Sequence, residues 1–378
     1  MNQRKSTGLA SIINSIVSKF ELAFDSSDLA IPKSDHYVLC LVDGLAYNSF
    51  LEHSSSTCFL SSFNTKQTLR SGFPSTTAAC LTSLATGLDP IEHGIVGAAF
   101  KHNNLYFSPL RWTYIYPQNH SNDQLIEPNI SIPTGAWDVL KTNGINVSAY
   151  LPQEISNSTF TEKVFSAANI HGYITTSDIT SKLTDILKNE QKSFSYVYFG
   201  NLDLVGHIFG INSKEWKQEF LQIDLILQQI QKLLRGKATL LVTADHGMTH
   251  VDSKNMIDFS KIPDLYNQTQ LMCGDIRARH IYLKPVCKDK ISLTEWNKFL
   301  GRDFSIFTRQ EIINTNFFGS SNSDEMHERI GDLILISKGS HGLIDSSSCY
   351  DQYQFSWKGH HGATSDEEQL IPLLIWKQ

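Results

Sequence analysis

Short apolar runs recur along the chain and are the first guide to its fold. They are rich in Val, Ile, Leu and Tyr, and they lack a clean alternation of apolar and polar positions, which is the pattern of strands buried on both faces. The runs predict strands at residues 37–42, 145–150, 195–200, 238–244, 333–337 and 372–376.

Helical patterns occupy several of the segments between these runs. Helices are predicted at 76–86 and 134–142, each followed by a stop signal that contains glycine. The clearest helix extends over 213–234, and its apolar face consists of Trp216, Phe220, Ile223, Leu227, Ile230 and Leu234. Strands that alternate with helices predict an α/β fold with a doubly wound, mostly parallel sheet flanked by helices.

Three segments do not follow this alternation. Residues 98–131 are rich in Asn and in aromatic side chains and are predicted to form a long loop or lid. Residues 251–345 mix short strand patterns with polar linkers, so they are predicted to be an inserted cap within a main domain at 31–378. Residues 1–30 are predicted to contain an amphipathic helix that packs on this domain, and a membrane-docking or partner-docking helix is the alternative. Its apolar positions are Leu9, Ile12, Ile13, Ile16, Val17 and Phe20.

Composition and charge narrow the classes of function. The net charge of -6 and the absence of a long Lys/Arg run argue against a partner that is a nucleic-acid polymer. A small phosphorylated substrate stays compatible with this charge, because bound metal ions would reverse the local potential. No apolar run approaches the ~20 residues of a transmembrane segment. The N-terminus lacks a uniformly apolar signal core, and the six cysteines include no C-x-x-C pair, so we expect a cytoplasmic protein.

Four short acidic and histidine clusters carry the candidate chemistry. Three of them follow apolar runs and are therefore expected at the carboxyl ends of strands, where open α/β sheets gather their ligand sites. Three Asp and three His at one edge of a sheet would supply mixed oxygen and nitrogen ligands suited to two divalent ions of the zinc type. The clusters are Asp43-Gly44, Asp203-Leu-Val-Gly-His207, Asp245-His246-Gly247 and His361-Gly362.

Two of these clusters have a simpler interpretation, and His361 has a rival. An Asp-Gly after a strand is usually a turn, and an Asp four residues before a His can belong to a strand-exit loop. His341 rivals His361, because both lie in a G-x-H-G sequence. We favour His361, because a short polar stretch and a final core strand follow it.

Adjacent hydroxyl side chains add a candidate nucleophile. Thr76 and Thr77 open the helix after Pro74, where backbone N–H groups point toward a bound anion. Helix capping by Ser75 or Thr76 explains one hydroxyl and leaves another free. A free Thr hydroxyl is a poor nucleophile at neutral pH, and coordination to a metal ion is one way to activate it.

Taken in order, these motifs resemble the alkaline phosphatase superfamily and, more narrowly, its type I phosphodiesterase and nucleotide pyrophosphatase branch. The resemblance extends from Tyr37 to Trp376 and rests on the motifs DGL, FPSTTAACLTSLATG with HGI, DLVGH, ADHG and HHG. It implies an alkaline phosphatase-like fold and a zinc-dependent phosphoric ester hydrolase. It also implies that Thr77 is the nucleophile and forms a covalent phospho-threonine intermediate. A Thr at this position is typical of the diesterase branch.

The resemblance also implies two ligand sets. One zinc would be held by Asp43, Asp245, His246 and Thr77, and the other by Asp203, His207 and His361. The alternatives are a phosphomonoesterase, a phosphonate hydrolase or a phosphomutase on the same scaffold, or a non-catalytic scaffold protein.

One departure from the branch pattern concerns the helix after the nucleophile. Nucleotide pyrophosphatases usually carry Phe-Pro-Asn-His there, whereas this chain has Ala78-Ala79-Cys80-Leu81. Cys80 replaces an Asn that would donate a hydrogen bond to a phosphoryl oxygen, and a thiol is a weak donor. We expect His93-Gly94 to form a structural turn. The aromatic residues between Phe100 and Tyr116 would stack on a flat leaving group or pack within the lid.

Overall fold

The computed structural model describes residues 8–376 except 26, 28, 55–57, 64, 116–127, 189–190, 235, 290, 322 and 349–350. Its strands are β1 (His36–Val42), β2 (Thr65–Arg70), β3 (Phe100–His102), β4 (Leu105–Ser108), β5 (Thr113–Ile115), β6 (Asn146–Pro152), β7 (Asn169–Tyr173), β8 (Ser193–Phe199), β9 (Thr239–Thr243), β10 (Thr249–His250), β11 (Met256–Asp258), β12 (Thr269–Asp275), β13 (Ala278–Leu283), β14 (Phe304–Thr308), β15 (Leu333–Ser337), β16 (Gly342–Ile344), β17 (Gly359–His360) and β18 (Leu370–Trp376).

The α-helices lie between these strands, apart from one at the N-terminal end. They are α1 (Ala10–Lys19), α2 (Tyr47–His53), α3 (Thr77–Thr86), α4 (Pro90–His93), α5 (Ala136–Thr142), α6 (Gln153–Ser156), α7 (Thr159–Val164), α8 (Thr176–Ile186), α9 (Asn201–Phe209), α10 (Lys214–Leu234), α11 (Pro263–Tyr266), α12 (Pro285–Lys288), α13 (Leu293–Leu300), α14 (Arg309–Asn314), α15 (Asp324–Arg329) and α16 (Asp366–Gln369).

A seven-stranded sheet forms the centre of the protein, in the order β2-β18-β9-β1-β8-β6-β7. The five strands from β9 to β7 are parallel to one another, and β18 runs antiparallel to β9 and to β2. Every residue of β8 and β9 is buried, because helices cover both faces. The predicted α/β fold with a mostly parallel sheet is therefore confirmed.

Two strands of this sheet lack the apolar pattern that revealed the others. In β2, only Leu69 is buried among exposed and half-buried polar side chains, and every residue of β7 stays at least partly exposed. Both strands lie at the edges of the sheet, where one side of the strand has no neighbour. A pattern based on complete burial therefore misses them.

The segment between β10 and β17 contains a second sheet, in the order β12-β13-β15-β14, with all its strands antiparallel. The apolar run at 333–337 belongs here as β15 and is not a strand of the central sheet. A separate apolar cluster supports this sheet, with Phe259, Trp296, Phe304 and Leu335 fully buried. Residues 251–345 therefore include a compact unit with a core of its own.

Buried ion pairs link this second sheet to segments that precede and follow β17. Arg277 pairs with Glu368 of α16 at 2.8 Å, and Arg279 pairs with Asp351 at 2.6 Å. All four side chains are almost completely shielded from solvent. Because buried charges without a partner are costly, these pairs define where the second sheet sits.

The stretch predicted as a loop or lid forms a small sheet, β3-β4-β5. Asn103 and Asn104 both have positive φ, at 51° and 62°, and they join β3 to β4 as a two-residue hairpin turn. The loop prediction was therefore wrong, and the Asn-Asn pair was the overlooked turn signal. Phe100 and Phe107 are completely buried in the main core. Tyr116, also named in the aromatic set, lies outside the described residues.

The N-terminal helix α1 packs against α3 and α5 and buries its apolar face there. Asn14 on α1 donates a hydrogen bond to the carbonyl oxygen of Gly87 at 3.1 Å. Among the described residues, no helix combines the length and the apolar character needed to cross a membrane.

Candidate active site

Two neighbouring strands place the first carboxylates. Asp43 follows β1 and Asp245 follows β9, and these strands pair in parallel, so their carboxyl ends meet. Both side chains are almost completely buried. Gly44, at φ 74°, allows a close approach here, because an added Cβ would lie only 3.0 Å from Cα and Cβ of Asp203.

Asp203 and His207 lie one turn apart on α9, which begins two residues after β8 ends. They therefore belong to a helix that begins at the carboxyl end of β8, and the strand-exit loop of the simpler interpretation is not observed. The Asp203 carboxylate is 3.2 Å from Nε2 of His207 and 3.9 Å from Nε2 of His361. His361 follows β17 and stacks on His246. The side chains of all four clusters thus come together.

Backbone carbonyls orient the three imidazole rings. Nδ1 of His207 lies 2.7 Å from the Gly359 oxygen, and Nδ1 of His361 lies 2.8 Å from the Ser75 oxygen. His246 makes the equivalent contact with its neighbour Gly247 at 3.1 Å. A neutral ring that donates its Nδ1–H to such an oxygen directs the lone pair of Nε2 toward the carboxylates. This arrangement is typical of histidines that bind a metal ion through Nε2.

Thr77 is the first residue of α3 and points into the same cluster. Its Oγ1 lies 3.1 Å from Nε2 of His246. Thr76 occupies the N-cap position of α3, but its side chain makes no capping hydrogen bond. Ser75 donates instead to the carbonyl oxygen of Ala363 at 2.8 Å. The capping explanation of these hydroxyls is therefore not what the geometry shows.

Three carboxylates lie close together in this cluster, and burial and neighbouring groups shift their pKa values. Burial, with Asp245 and Asp203 nearby, raises the pKa of Asp43 well above its ordinary value. Burial and Asp203 raise the pKa of Asp245 to about 7. Burial opposes ionisation of Asp203 too, but His207 outweighs it and holds the pKa of Asp203 below its usual range. Burial lowers the pKa of His246 to about 4 and that of His361 to about 3, so both rings are neutral.

These side chains fit divalent cations. Among the described residues, one carboxylate oxygen of Asp43, of Asp203 and of Asp245 is buried and has no hydrogen-bond partner, which is costly unless a cation neutralises it. Two groups of three have their potential ligand atoms within 4.8 Å of one another, namely Asp203, His207 and His361, and Asp43, Asp203 and His246. Neutral imidazole nitrogen with carboxylate oxygen is a donor set that zinc accepts.

Several residues named from the sequence lie elsewhere. His341 pairs with Asp303 at 3.3 Å and is absent from both ligand groups, so the choice of His361 agrees with the geometry. His93 is completely buried and contacts Ser83 Oγ at 2.9 Å. Cys80 is 2% exposed, and its thiol faces the Pro74 oxygen at 3.9 Å. It does not line the cavity described next.

A cavity of about 580 Å³ opens above Thr77. The inserted segment contributes Asp275 and Ile276 to its wall, and the β4–β5 connection contributes Leu110 and Arg111. Trp357 also lines it, with its ring centroid 4.3 Å from that of His207.

Tyr198 makes a contact with the site that was not predicted from the sequence. Its hydroxyl donates a hydrogen bond to the Asp43 carboxylate. No motif in the sequence singled out Asp275, Trp357 or Tyr198.

Comparisons with known proteins agree with these motifs. The family described as "Type I phosphodiesterase / nucleotide pyrophosphatase" matches residues 37–363, which confirms the resemblance read from the sequence. Ectonucleotide pyrophosphatase/phosphodiesterase family member 7 from Rattus norvegicus is 24% identical over 206 residues, or 51% of this chain and 45% of that protein. The Homo sapiens protein is 22% identical over 51% of this chain and 43% of its own. In these alignments, the chain spans less than half of the length of its curated relatives.

Solved structures share the fold. Human ectonucleotide pyrophosphatase/phosphodiesterase 5 superposes with a TM-score of 0.69 at 16% identity, covering 90% of this chain and 87% of that one. The murine protein, solved in an inactive form in complex with AMP, gives a TM-score of 0.67 at 15% identity, covering 89% and 87%. This likeness supports an alkaline phosphatase-like architecture over about 90% of the chain.

Proposed function

Because the chain belongs to the type I phosphodiesterase/nucleotide pyrophosphatase family, we propose that it is a metal-dependent phosphoric ester hydrolase acting on small phosphodiesters, such as nucleotides. The observation that carries the proposal is the position of Thr77, whose Oγ1 lies 3.1 Å from His246 within a cluster of buried carboxylates and imidazoles. A hydroxyl at this place is suited to attack phosphorus.

Two divalent ions, of which zinc matches the donor atoms best, would be bound by seven side chains. One set consists of Asp43, Thr77, Asp245 and His246, and the other of Asp203, His207 and His361. When bound, the ions would activate a hydroxyl and neutralise the charge that develops on the reacting phosphate. They would also supply the partners that the unpaired carboxylate oxygens lack.

The nucleophile in this proposal is Thr77. Thr77 loses its hydroxyl proton to solvent, and its Oγ1 forms a bond to phosphorus while the bond from phosphorus to the alcohol oxygen breaks. The departing alkoxide takes up a proton from solvent, and a phospho-threonine ester is left. Water then attacks the same phosphorus, releases the second product and restores the hydroxyl. Because Thr77 is the first residue of α3, the free backbone N–H groups of the first helical turn can donate to phosphoryl oxygens. These amides compensate for Cys80, which faces away from the cavity.

Hydrolysis of an aryl phosphodiester by the purified, zinc-supplied protein tests this function. We expect Thr77→Ala to lower kcat by about 1000-fold or more, as removal of a nucleophile does, while Thr77→Ser keeps measurable turnover. Thr82→Ala is the matched control, because Thr82 lies on the same helix and its hydroxyl donates to the Ala78 oxygen. Wild-type turnover by a folded, metal-loaded Thr77→Ala variant would rule out the mechanism. A strong preference for the corresponding monoester would instead favour a phosphomonoesterase.

A further inference from the structure

Asp275 is a carboxylate in the cavity that belongs to neither ligand set. It ends β12 of the inserted sheet and lines the same cavity wall as Thr76, Thr77 and His361. Asp275 packs closely against Gly362, the residue after His361. A Cβ added at Gly362 would lie 2.9 Å from Cβ of Asp275 and 3.3 Å from its Oδ2. The inserted segment thus places a fourth acidic side chain beside the nucleophile.

The two arginines that follow Asp275 in the chain form ion pairs with other carboxylates. Arg277 is bound to Glu368 and to the carbonyl oxygens of Gly339 and His341. Arg279 is bound to Asp351, as described above. Within the part of the chain that the structure describes, no Lys or Arg nitrogen lies within ion-pair distance of Asp275, and its Oδ2 has no hydrogen-bond partner.

Asp275 lies near the start of α3, where the reacting phosphate would be held. Its carboxylate is close enough to the Thr76 side chain for that side chain to lower its pKa, and Thr77 is the next residue. Burial raises the pKa of Asp275 to about 7, although Thr76, Arg279 and His207 act in the opposite direction. The assay is run at pH 8.5, which lies above this value. A phosphate held by Thr77 and by the first turn of α3 would therefore meet a negative charge from the side of the inserted sheet.

We propose that Asp275 is a specificity-determining residue, which disfavours dianionic phosphomonoesters and so restricts the site to monoanionic phosphodiesters. This inference rests on the proposed function. A unit charge in a partly buried cavity acts over several ångströms, and a second negative charge on the ligand increases the repulsion. Discrimination through an unpaired like charge is a common route to specificity.

The experiment compares wild type, Asp275→Asn and Asp264→Asn at pH 8.5 with zinc present. Asp264 is an exposed acidic residue of the inserted segment outside the cavity wall, so it controls for net charge. For Asp275→Asn we expect kcat/KM for an aryl phosphomonoester to rise about tenfold relative to that for the aryl phosphodiester. The Asp264→Asn ratio should stay at the wild-type value.

Binding gives a readout independent of turnover. Orthophosphate, mostly dianionic at this pH, and dimethyl phosphate, which is monoanionic, are titrated calorimetrically into the same three proteins. Asp275→Asn should bind orthophosphate about tenfold more tightly and leave the Kd of dimethyl phosphate within about twofold of the wild-type value. If this variant fails to fold, Asp275→Ser replaces it in both measurements.

Failure of the role of Asp275 can be distinguished from failure of the proposed function. If the wild type hydrolyses the diester, and Asp275→Asn changes neither the ester ratio nor the affinity for orthophosphate, the role of Asp275 is wrong and the proposed function stands. Equal gains in affinity for both ligands would also overturn it. If the folded, zinc-loaded wild type hydrolyses neither ester, the proposed function itself fails.

Discussion

The imidazole ring of His361 stacks on that of His246, with centroids 3.8 Å apart and an interplanar angle of 19°. Two protonated rings could not share this contact, and burial keeps both neutral. Their Nε2 atoms face the carboxylates, because both Nδ1 atoms contact backbone oxygens. In the proposed site, His246 and His361 belong to different ligand sets. The two sets are therefore in direct contact through these stacked rings.

Replacing His361 tests this division of ligands. We expect His361→Ala to lower the zinc content from about two ions to about one per chain and to reduce kcat/KM for a phosphodiester by about 100-fold. His341→Ala is the matched control, since His341 occurs in the same G-x-H-G sequence but pairs with Asp303. Elemental analysis and steady-state kinetics measure the two effects. Unchanged zinc content in His361→Ala would refute the assignment of His361 as a ligand.

Removing Asp245 should have opposite effects on the metal-free and zinc-loaded proteins. Without ions, Asp245→Asn relieves the repulsion among three closely spaced carboxylates and should raise the Tm by about 2 °C. With zinc, the same change removes a ligand and should lower the Tm, because stabilisation by a bound ion depends on its affinity. Calorimetric melting in EDTA and in zinc gives both values.

A control separates carboxylate repulsion from a general effect of losing a buried charge. Asp351 is buried like Asp245, but it is paired with Arg279. Asp351→Asn should therefore lower the Tm both in EDTA and in zinc. If Asp245→Asn also destabilised the metal-free protein, the carboxylates would not be the source of strain that their unpaired oxygens indicate.

Tyr198 is expected to tune the affinity for metal through Asp43. Its hydroxyl donates to Asp43, and partners of this kind orient ligands and typically change metal affinity at least about tenfold when removed. Tyr198→Phe should accordingly weaken zinc binding by about tenfold in a chelator competition titration. Tyr196→Phe on the same strand is the control, because the buried Tyr196 hydroxyl has no hydrogen-bond partner in the described part of the chain. Equal affinities for the two variants would contradict this role.

The Arg277–Glu368 pair should make stability depend on pH. Burial opposes ionisation of Glu368, but Arg277 and hydrogen bonds outweigh it and hold its pKa below the ordinary value of 4.5. A lowered carboxyl pKa contributes stability above the unfolded-state value, and this stability is lost as the pH falls through the folded-state value. The contribution of Glu368 should therefore be complete at pH 7 and should decline below about pH 4.5.

Substitution measures the same pair directly. Glu368→Gln leaves Arg277 buried without a counter-charge and should lower the free energy of unfolding by about 3 kcal/mol at pH 7, and by less at pH 4. Asp366→Asn removes the exposed partner of Arg70 and should have no measurable effect, as is usual for surface pairs. Urea titrations at both pH values test the difference. A loss that stays the same at pH 7 and pH 4 would exclude the charge as its cause.

Much of the fold could be predicted because buried strands and buried helix faces show a local pattern of apolar residues. The strands β1, β8 and β9 are apolar throughout, and α10 shows its buried face at helical spacing, so these elements were recognisable one by one. The edge strands β2 and β7 and the hairpin at Asn103-Asn104 were missed, since edge strands bury less and a turn depends on backbone dihedrals. The same limit left the sheet to which 333–337 belongs undecided, because an apolar run does not state which partner covers it.

For this chain, sequence alone determined the strand–helix alternation, the order of the motifs and the chemical types of the candidate ligands, since these depend on residues close in the chain. Tertiary structure decided which side chains meet. Ser75 lies 286 residues from His361, yet it orients that ring through its carbonyl oxygen. The preference for His361 over His341, the contact of Tyr198 with Asp43 and the place of Asp275 beside Thr76 have the same origin. Strand order and the position of the inserted sheet bring distant segments to one edge, and no local pattern encodes that packing.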